Sequence, residues 1–198
     1  MTKRILLAGI LGGVAMFAWT SVAHMALPLG DAGFKEFPNE QPVMTALQAS
    51  LGNAGGLYIY PGMGLAPDAS ASQKQDAYAK KVATSPSGIL IYQPPATTPP
   101  ASRQLTVEFL TELLECLLVV FLLAQTRLSS FAGRFGFVFA AGVLATLATN
   151  VSYWNWYGFP VTYTAAYMTT EIIGFLCVGL VAAALVKQPK PASAAVAA

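Results

Sequence analysis

The chain has 198 residues, of which 55% are hydrophobic and 10% charged, with a formal net charge of +2 and a mean hydropathy of +0.56. Soluble domains carry about 25% charged residues, so most of this chain does not face water, and two cysteines are too few for a disulfide-stapled secreted scaffold. Eleven Lys and Arg against nine Asp and Glu are too weak an excess for a nucleic-acid surface, which leaves an integral membrane protein.

Four segments are long and apolar enough to match the roughly 20 helical residues that cross a bilayer. They cover about residues 5–27, 105–125, 131–149 and 162–186. The expected fold is therefore membrane all-α: four transmembrane helices with a small α+β periplasmic insertion between the first and second. The corresponding domains are an N-terminal signal-anchor helix (1–27), the periplasmic cap (28–104) and a three-helix transmembrane region with a cytoplasmic tail (105–198). A cleavable signal peptide ending at Ser21-Val22-Ala23 is the competing reading of the first segment. Its apolar run exceeds the usual core of about 7–15 residues, which favours an uncleaved anchor.

Positive charge in the short loops sets orientation. With the N-terminus inside, the cytoplasmic pieces hold Lys3, Arg4, Arg127, Arg134, Lys187 and Lys190 and no acid. The outer pieces balance Lys35, Lys74, Lys80, Lys81 and Arg103 against Asp31, Glu36, Glu40, Asp68 and Asp76. The expected location is the bacterial inner membrane, with both termini cytoplasmic and residues 28–104 periplasmic. An aromatic turn, Tyr153 to Pro160, then brings Trp154 and Trp156 to the outer interface, where amphipathic rings favour the headgroup level.

The insertion carries an internal repeat. Asn39 opens a helical run with Val43, Leu47 and Leu51 in register, Gly55-Gly56 stops it, and Leu57 to Tyr60 reads as a strand ending at Pro61. A second helical run over about 72–83 leads to a second strand, Ile89 to Tyr92. A small cap is the simpler reading and a ligand-sensing module the more specific one, since two short strands are marginal alone.

The first-span run GGVAMFAWTSVAHMALP, the PNE at Pro38 to Glu40, GLYIYPG, SYWNWYGFPVTYTAAYM and GFLCVGLVAA together resemble a group of small bacterial inner-membrane proteins with four spans and an outer loop domain. The likeness covers nearly the whole chain. It implies architecture and no particular chemistry.

Four acids remain, and all fall inside predicted spans. Glu108, Glu112 and Glu115 follow one another at i, i+4 and i+7, within an arc of about 60° on one helix face. Glu171 lies on the fourth span, and Glu112, Glu115 and Glu171 lie about 10–15 Å from the outer end by helical rise. His24 lies level with Glu108. Ionisable groups inside spans mark functional sites by default, and carboxylates this close repel unless some are protonated or a cation binds. The plainer alternative is that they are protonated glue between helices, bonded to Thr169 and Thr170. Further in, the same face continues with Val119 and Leu122, which closes a polar path.

No catalytic, phosphate-binding or haem-attachment motif is present, the Glu-x-x-His pattern of diiron bundles is absent, and Cys116 and Cys177 read as small buried apolar residues. No cofactor is expected beyond a cation at the glutamates. Gly9 with Gly13, and Ala141 with Ala145 and Thr149, have the small-xxx-small spacing of helix-packing faces. The expected function is non-enzymatic: an accessory, assembly or scaffold component of a membrane complex, in contact with lipid and with another membrane protein or its own copies. The alternative is a cation- or proton-binding membrane protein, in transport or with a metal site, that uses His24, Glu108, Glu112, Glu115 and Glu171.

The charge asymmetry generates a direct test. In a chain without native cysteines, Ser70→Cys should react with a membrane-impermeant thiol reagent applied outside, and Ser130→Cys only after the membrane is opened; the reverse pattern contradicts the orientation.

Overall fold

A computed structural model describes residues 3–187, so Lys190 of the charge argument lies outside the described residues. Eight elements follow in order: α1 (Lys3–Met25), α2 (Glu40–Leu51), β1 (Gly56–Tyr60), α3 (Ala71–Val82), β2 (Gly88–Tyr92), α4 (Ala101–Ala124), α5 (Phe131–Tyr157) and α6 (Val161–Leu185). They form two compact units, which divide at Phe34/Lys35 and Pro99/Pro100. Residues 28–34 thus belong with the long helices and not with the insertion, because Phe34 meets Tyr163 of α6 edge-on at 5.5 Å and Gly33 lies flat on the same tyrosine.

In the helical unit, α1, α5 and α6 are long and apolar enough to cross a membrane, at 23, 27 and 25 residues. With 24 residues, α4 is as long, but Glu108, Glu112 and Glu115 set it apart from that class. The contacts make α1 antiparallel to α4, Gly9 lying on Leu117 and Gly13 on Leu113. They make α6 antiparallel to both α1 (Gly12 on Val178, Gly174 on Met16) and α5 (Gly142 on Phe175, Gly179 on Phe135). The helices are therefore arranged α4, α1, α6, α5, and α4 touches α5 only sparsely.

Close approach at glycine drives this packing, because apolar side chains gain little by leaving apolar lipid. A Cβ on Gly9 would stand 2.6 Å from a Leu117 methyl, one on Gly13 3.0 Å from the Leu113 backbone, and one on Gly142 2.3 Å from the Phe175 ring. The Gly9/Gly13 pair is thus consumed inside the chain, between α1 and α4. The resulting core holds Ala8, Cys116, Val119, Val120, Leu123, Val138, Val178 and Ala182. The second packing stripe does not behave as expected: Ala141 is half-buried against the core, but Ala145 and Thr149 are exposed.

Polar bonds pin the ends. Arg134, in the first turns of α5, is buried and donates from Nε and Nη2 to the Ala183 carbonyl at 3.1 and 2.8 Å and from Nη1 to Ser129 O at 2.6 Å. It is a helix-to-helix clamp that places a cation where the α6 C-terminus is most negative, not a free loop charge. Ser130 caps α5 by accepting from the Gly133 amide at 3.0 Å. At the far end α5 runs through Tyr153–Tyr157, which the sequence suggested was a turn. It stops only at Gly158, whose φ of 70° supplies the left-handed cap. Trp154 and Trp156 are exposed on that last stretch.

The second unit pairs β1 with β2 antiparallel, Gly56 opposite Tyr92 and Tyr60 opposite Gly88. The helix–turn–strand repeat is present twice, with α2 ending at a Gly52 cap, before Gly55-Gly56. Ser70 and Gln73 form a reciprocal capping box at the start of α3. Tyr92 donates to Gly52 O at 2.8 Å and Tyr58 to Ala54 O at 2.6 Å, tying the strands back to the end of α2. Leu57, Ile59 and Ile91 lie exposed on one sheet face.

Because the glycine pair serves the fold internally, Gly9→Leu and Gly13→Leu should each destabilise the chain by about 1–3 kcal/mol through overpacking. Melting in mild detergent should show the loss while light scattering shows an unchanged oligomeric state. Wild-type melting combined with a smaller particle would assign the pair to an interface between chains.

Candidate functional site

One cleft of about 150 Å³ lies among the four long helices, and His24, Glu108, Glu112, Glu115 and Glu171 all line it. Helical periodicity explains the gathering. On α4 the three glutamates share a face, and that face is the one directed between α1 and α5. His24 is in the last turn of α1, and Glu108 is two turns into α4. The cleft therefore occupies the half of the unit where α1 and α5 end and α4 and α6 begin. Toward the other end it is closed by the core around Val119, Val120 and Leu123. Val119 continues the polar face as the spacing suggested; Leu122 does not, being 53% exposed on the outside of α4.

The five side chains differ in environment. Glu112 is only 4% exposed, and its Oε2 is buried without a hydrogen-bond partner. Glu171 is half-buried and accepts from the Asn150 amide at 3.1 Å, while the same nitrogen donates to Thr146 O at 3.1 Å. Glu108 and Glu115 are exposed along the cleft wall. No Lys or Arg lines the cleft, so no positive side chain neutralises the carboxylates there. The carboxylates are met by neutral groups instead, Glu112 by the Thr20 hydroxyl and Glu171 by the Asn150 amide.

Thr169 and Thr170 do not serve the glutamates. Each donates its hydroxyl to its own helix, Thr169 to Ala165 O at 2.7 Å and Thr170 to Ala166 O at 3.0 Å, the usual local competition of threonine for an i−4 carbonyl. The partner of Glu171 is Asn150, which sequence reading passed over. Its signal was available: Asn150 is the one carboxamide in the apolar run of α5, and such a group needs a polar partner at membrane depth. Trp19 is a second missed residue. Its indole donates to Thr170 O at 2.8 Å and fixes α1 against α6 beside the cleft.

The aromatic wall is likewise a product of α6 periodicity. Tyr163 and Tyr167, one turn apart, stack at 4.4 Å, and His24 meets Tyr167 edge-on at 5.9 Å. Cys116 is buried against Met16, with sulfurs 3.7 Å apart, and Cys177 is a free, half-buried thiol. Among the described residues, no three His, Cys, Asp or Glu side chains are grouped so as to hold a metal ion.

Comparison of the chain with family models, with curated proteins and with solved structures finds no match. The site must therefore be read from its own chemistry.

Proposed function

We propose that the chain is a four-span inner-membrane protein that holds a cationic group in a cleft opening toward the outer side, with both termini cytoplasmic and the 35–99 unit periplasmic. In this reading α4 is the fourth span. It is as long as the other three and lies antiparallel along α1. It carries Leu110, Leu114, Leu118 and Phe121 on its exposed side and its glutamates in the cleft, so lipid meets leucine rather than carboxylate.

The observation that carries the reading is Glu112. A carboxylate almost wholly removed from solvent, with one oxygen unpartnered, costs folding free energy. A protein retains such a group where a ligand repays it. Three further carboxylates and the absence of Lys and Arg from the wall support a cationic ligand. The dry core beneath makes this a binding site rather than a through-going pore.

A second reading keeps the accessory or assembly role and rests on the seam between α4 and α5. The two helices meet sparsely, and small Ala145 and Thr149 are exposed along the seam. A partner helix bearing a basic side chain would fill the same gap and satisfy the same glutamates.

The two kinds of glutamate should separate on mutation. Without ligand, Glu112→Leu removes only the Thr20 hydroxyl's contact, and that hydroxyl also reaches Phe17 O, so it should cost at most about 1 kcal/mol, whereas Glu171→Leu strands the Asn150 amide and should cost about 1–3 kcal/mol. Reversible denaturation in detergent reads both. A loss at Glu112→Leu equal to that at Glu171→Leu would make the cluster structural glue and remove the binding reading.

A further inference from the structure

Several polar groups around the cleft share a property beyond charge: their donors are engaged by their own helices and their acceptor capacity is left over. Thr111 donates to Val107 O at 2.9 Å and Thr170 to Ala166 O at 3.0 Å, so each hydroxyl has lone pairs left for the cleft. His24 Nδ1 lies 2.9 Å from Thr20 O. A carbonyl oxygen only accepts, so Nδ1 carries a proton and donates it there. The Asn150 amide is committed to Thr146 O and Glu171, and the Trp19 indole to Thr170 O. Added to four carboxylates, one of them buried with a free oxygen, this is a site that calls for a donor-rich cation.

Two donor-rich classes exist, metal ions with their water and organic ammonium groups, and the geometry separates them. Ca²⁺ takes about six to eight oxygens at roughly 2.3–2.6 Å, and among the described residues no three His, Cys, Asp or Glu side chains are grouped to hold a metal ion. The α4 carboxylates are instead strung along an axis: helical rise puts Glu108 and Glu112 about 6 Å apart and Glu108 and Glu115 about 10 Å apart. Buried Met16 and Phe175 line the cleft between them, which offers contact for methylene groups. The cleft volume of about 150 Å³ is several times the roughly 30 Å³ of one water, room for a small organic molecule.

We infer that the ligand is a linear aliphatic diamine or polyamine, lying along α4 with its ammonium ends on Glu112 and a second cleft carboxylate and its methylene chain against Met16 and Phe175. This rests on the cation reading above and names its substrate class. Each ammonium has three donors, which matches carboxylates flanked by acceptor hydroxyls.

The test uses the full chain in lipid nanodiscs and isothermal titration with putrescine, spermidine, butylamine, MgCl₂ and CaCl₂. Putrescine or spermidine should bind at least about tenfold more tightly than butylamine, the loss expected for one charge-assisted contact. Glu112→Gln should weaken that binding at least about tenfold without lowering the melting temperature. Glu115→Gln, in an exposed part of the wall, should also weaken it and serves where the Glu112 variant does not fold. Equal affinity for butylamine and the diamines, or unaltered diamine binding in both variants, overturns the inference. Binding of Mg²⁺ or Ca²⁺ with none of the amines overturns the ligand class and leaves the cation reading standing. No binding by any probe removes both.

Discussion

An ionisable side chain at the centre of a bilayer costs about 2.5–3.5 kcal/mol on insertion scales, and a helix that carries three of them must give them somewhere to face. With α4 as the proposed fourth span, the helical unit is arranged around that constraint. α4 turns Glu108, Glu112 and Glu115 to one side and leucines to the other. α6 brings Glu171 to the same cleft, held by the Asn150 amide of α5, and α1 closes the back with Thr20 and His24. Glu112 is the member left with a free, buried oxygen, and on the proposed reading that oxygen is what a bound cation meets.

Glycine makes the constraint affordable in space. With Gly9 and Gly13 against α4, Gly12 and Gly174 between α1 and α6, and Gly142 and Gly179 between α5 and α6, three helix pairs approach closely. The fourth pair, α4 with α5, has no such glycine contact and stays apart. The asymmetry leaves the cleft as a gap in an otherwise tightly packed unit, dry at one end where valine and leucine meet and polar at the other. The Arg134 clamp on Ala183 O holds α5 to α6 at the dry end, so that the spacing of the polar end is fixed by rigid elements.

Much of this was legible in residue spacing. The i, i+4, i+7 glutamates had to share a face, and depth from the outer end put Glu171 level with Glu112 and Glu115 and His24 level with Glu108, so the candidate cluster could be assembled before any contact was known. What spacing did not convey was partner choice. Thr169 and Thr170 stand next to Glu171 in sequence yet bond their own helix, because an i−4 carbonyl is always within reach of a helical threonine. Asn150, two turns from the end of another helix, takes the carboxylate instead. The aromatic stretch Tyr153–Tyr157 was misread as a turn because its composition is that of an interface, while its conformation is decided by Gly158. Ala145 has the spacing of a packing face but lines the cleft, since a small residue permits close approach without providing a neighbour. Leu122 shows the limit of extending a face inward by eye: Val119 stays inside and Leu122 turns out.

The account stands or falls on α4 crossing the membrane with its carboxylates on a water-accessible cleft. A cysteine scan of α4, in a chain with Cys116 and Cys177 replaced by alanine and a membrane-impermeant thiol reagent applied from outside, tests this directly. Positions 108 and 115 should react, positions 110, 114 and 118 should be protected by lipid, and positions 112, 119 and 123 should be protected by burial. Uniform labelling along the helix, or no labelling at 108 and 115, would contradict it.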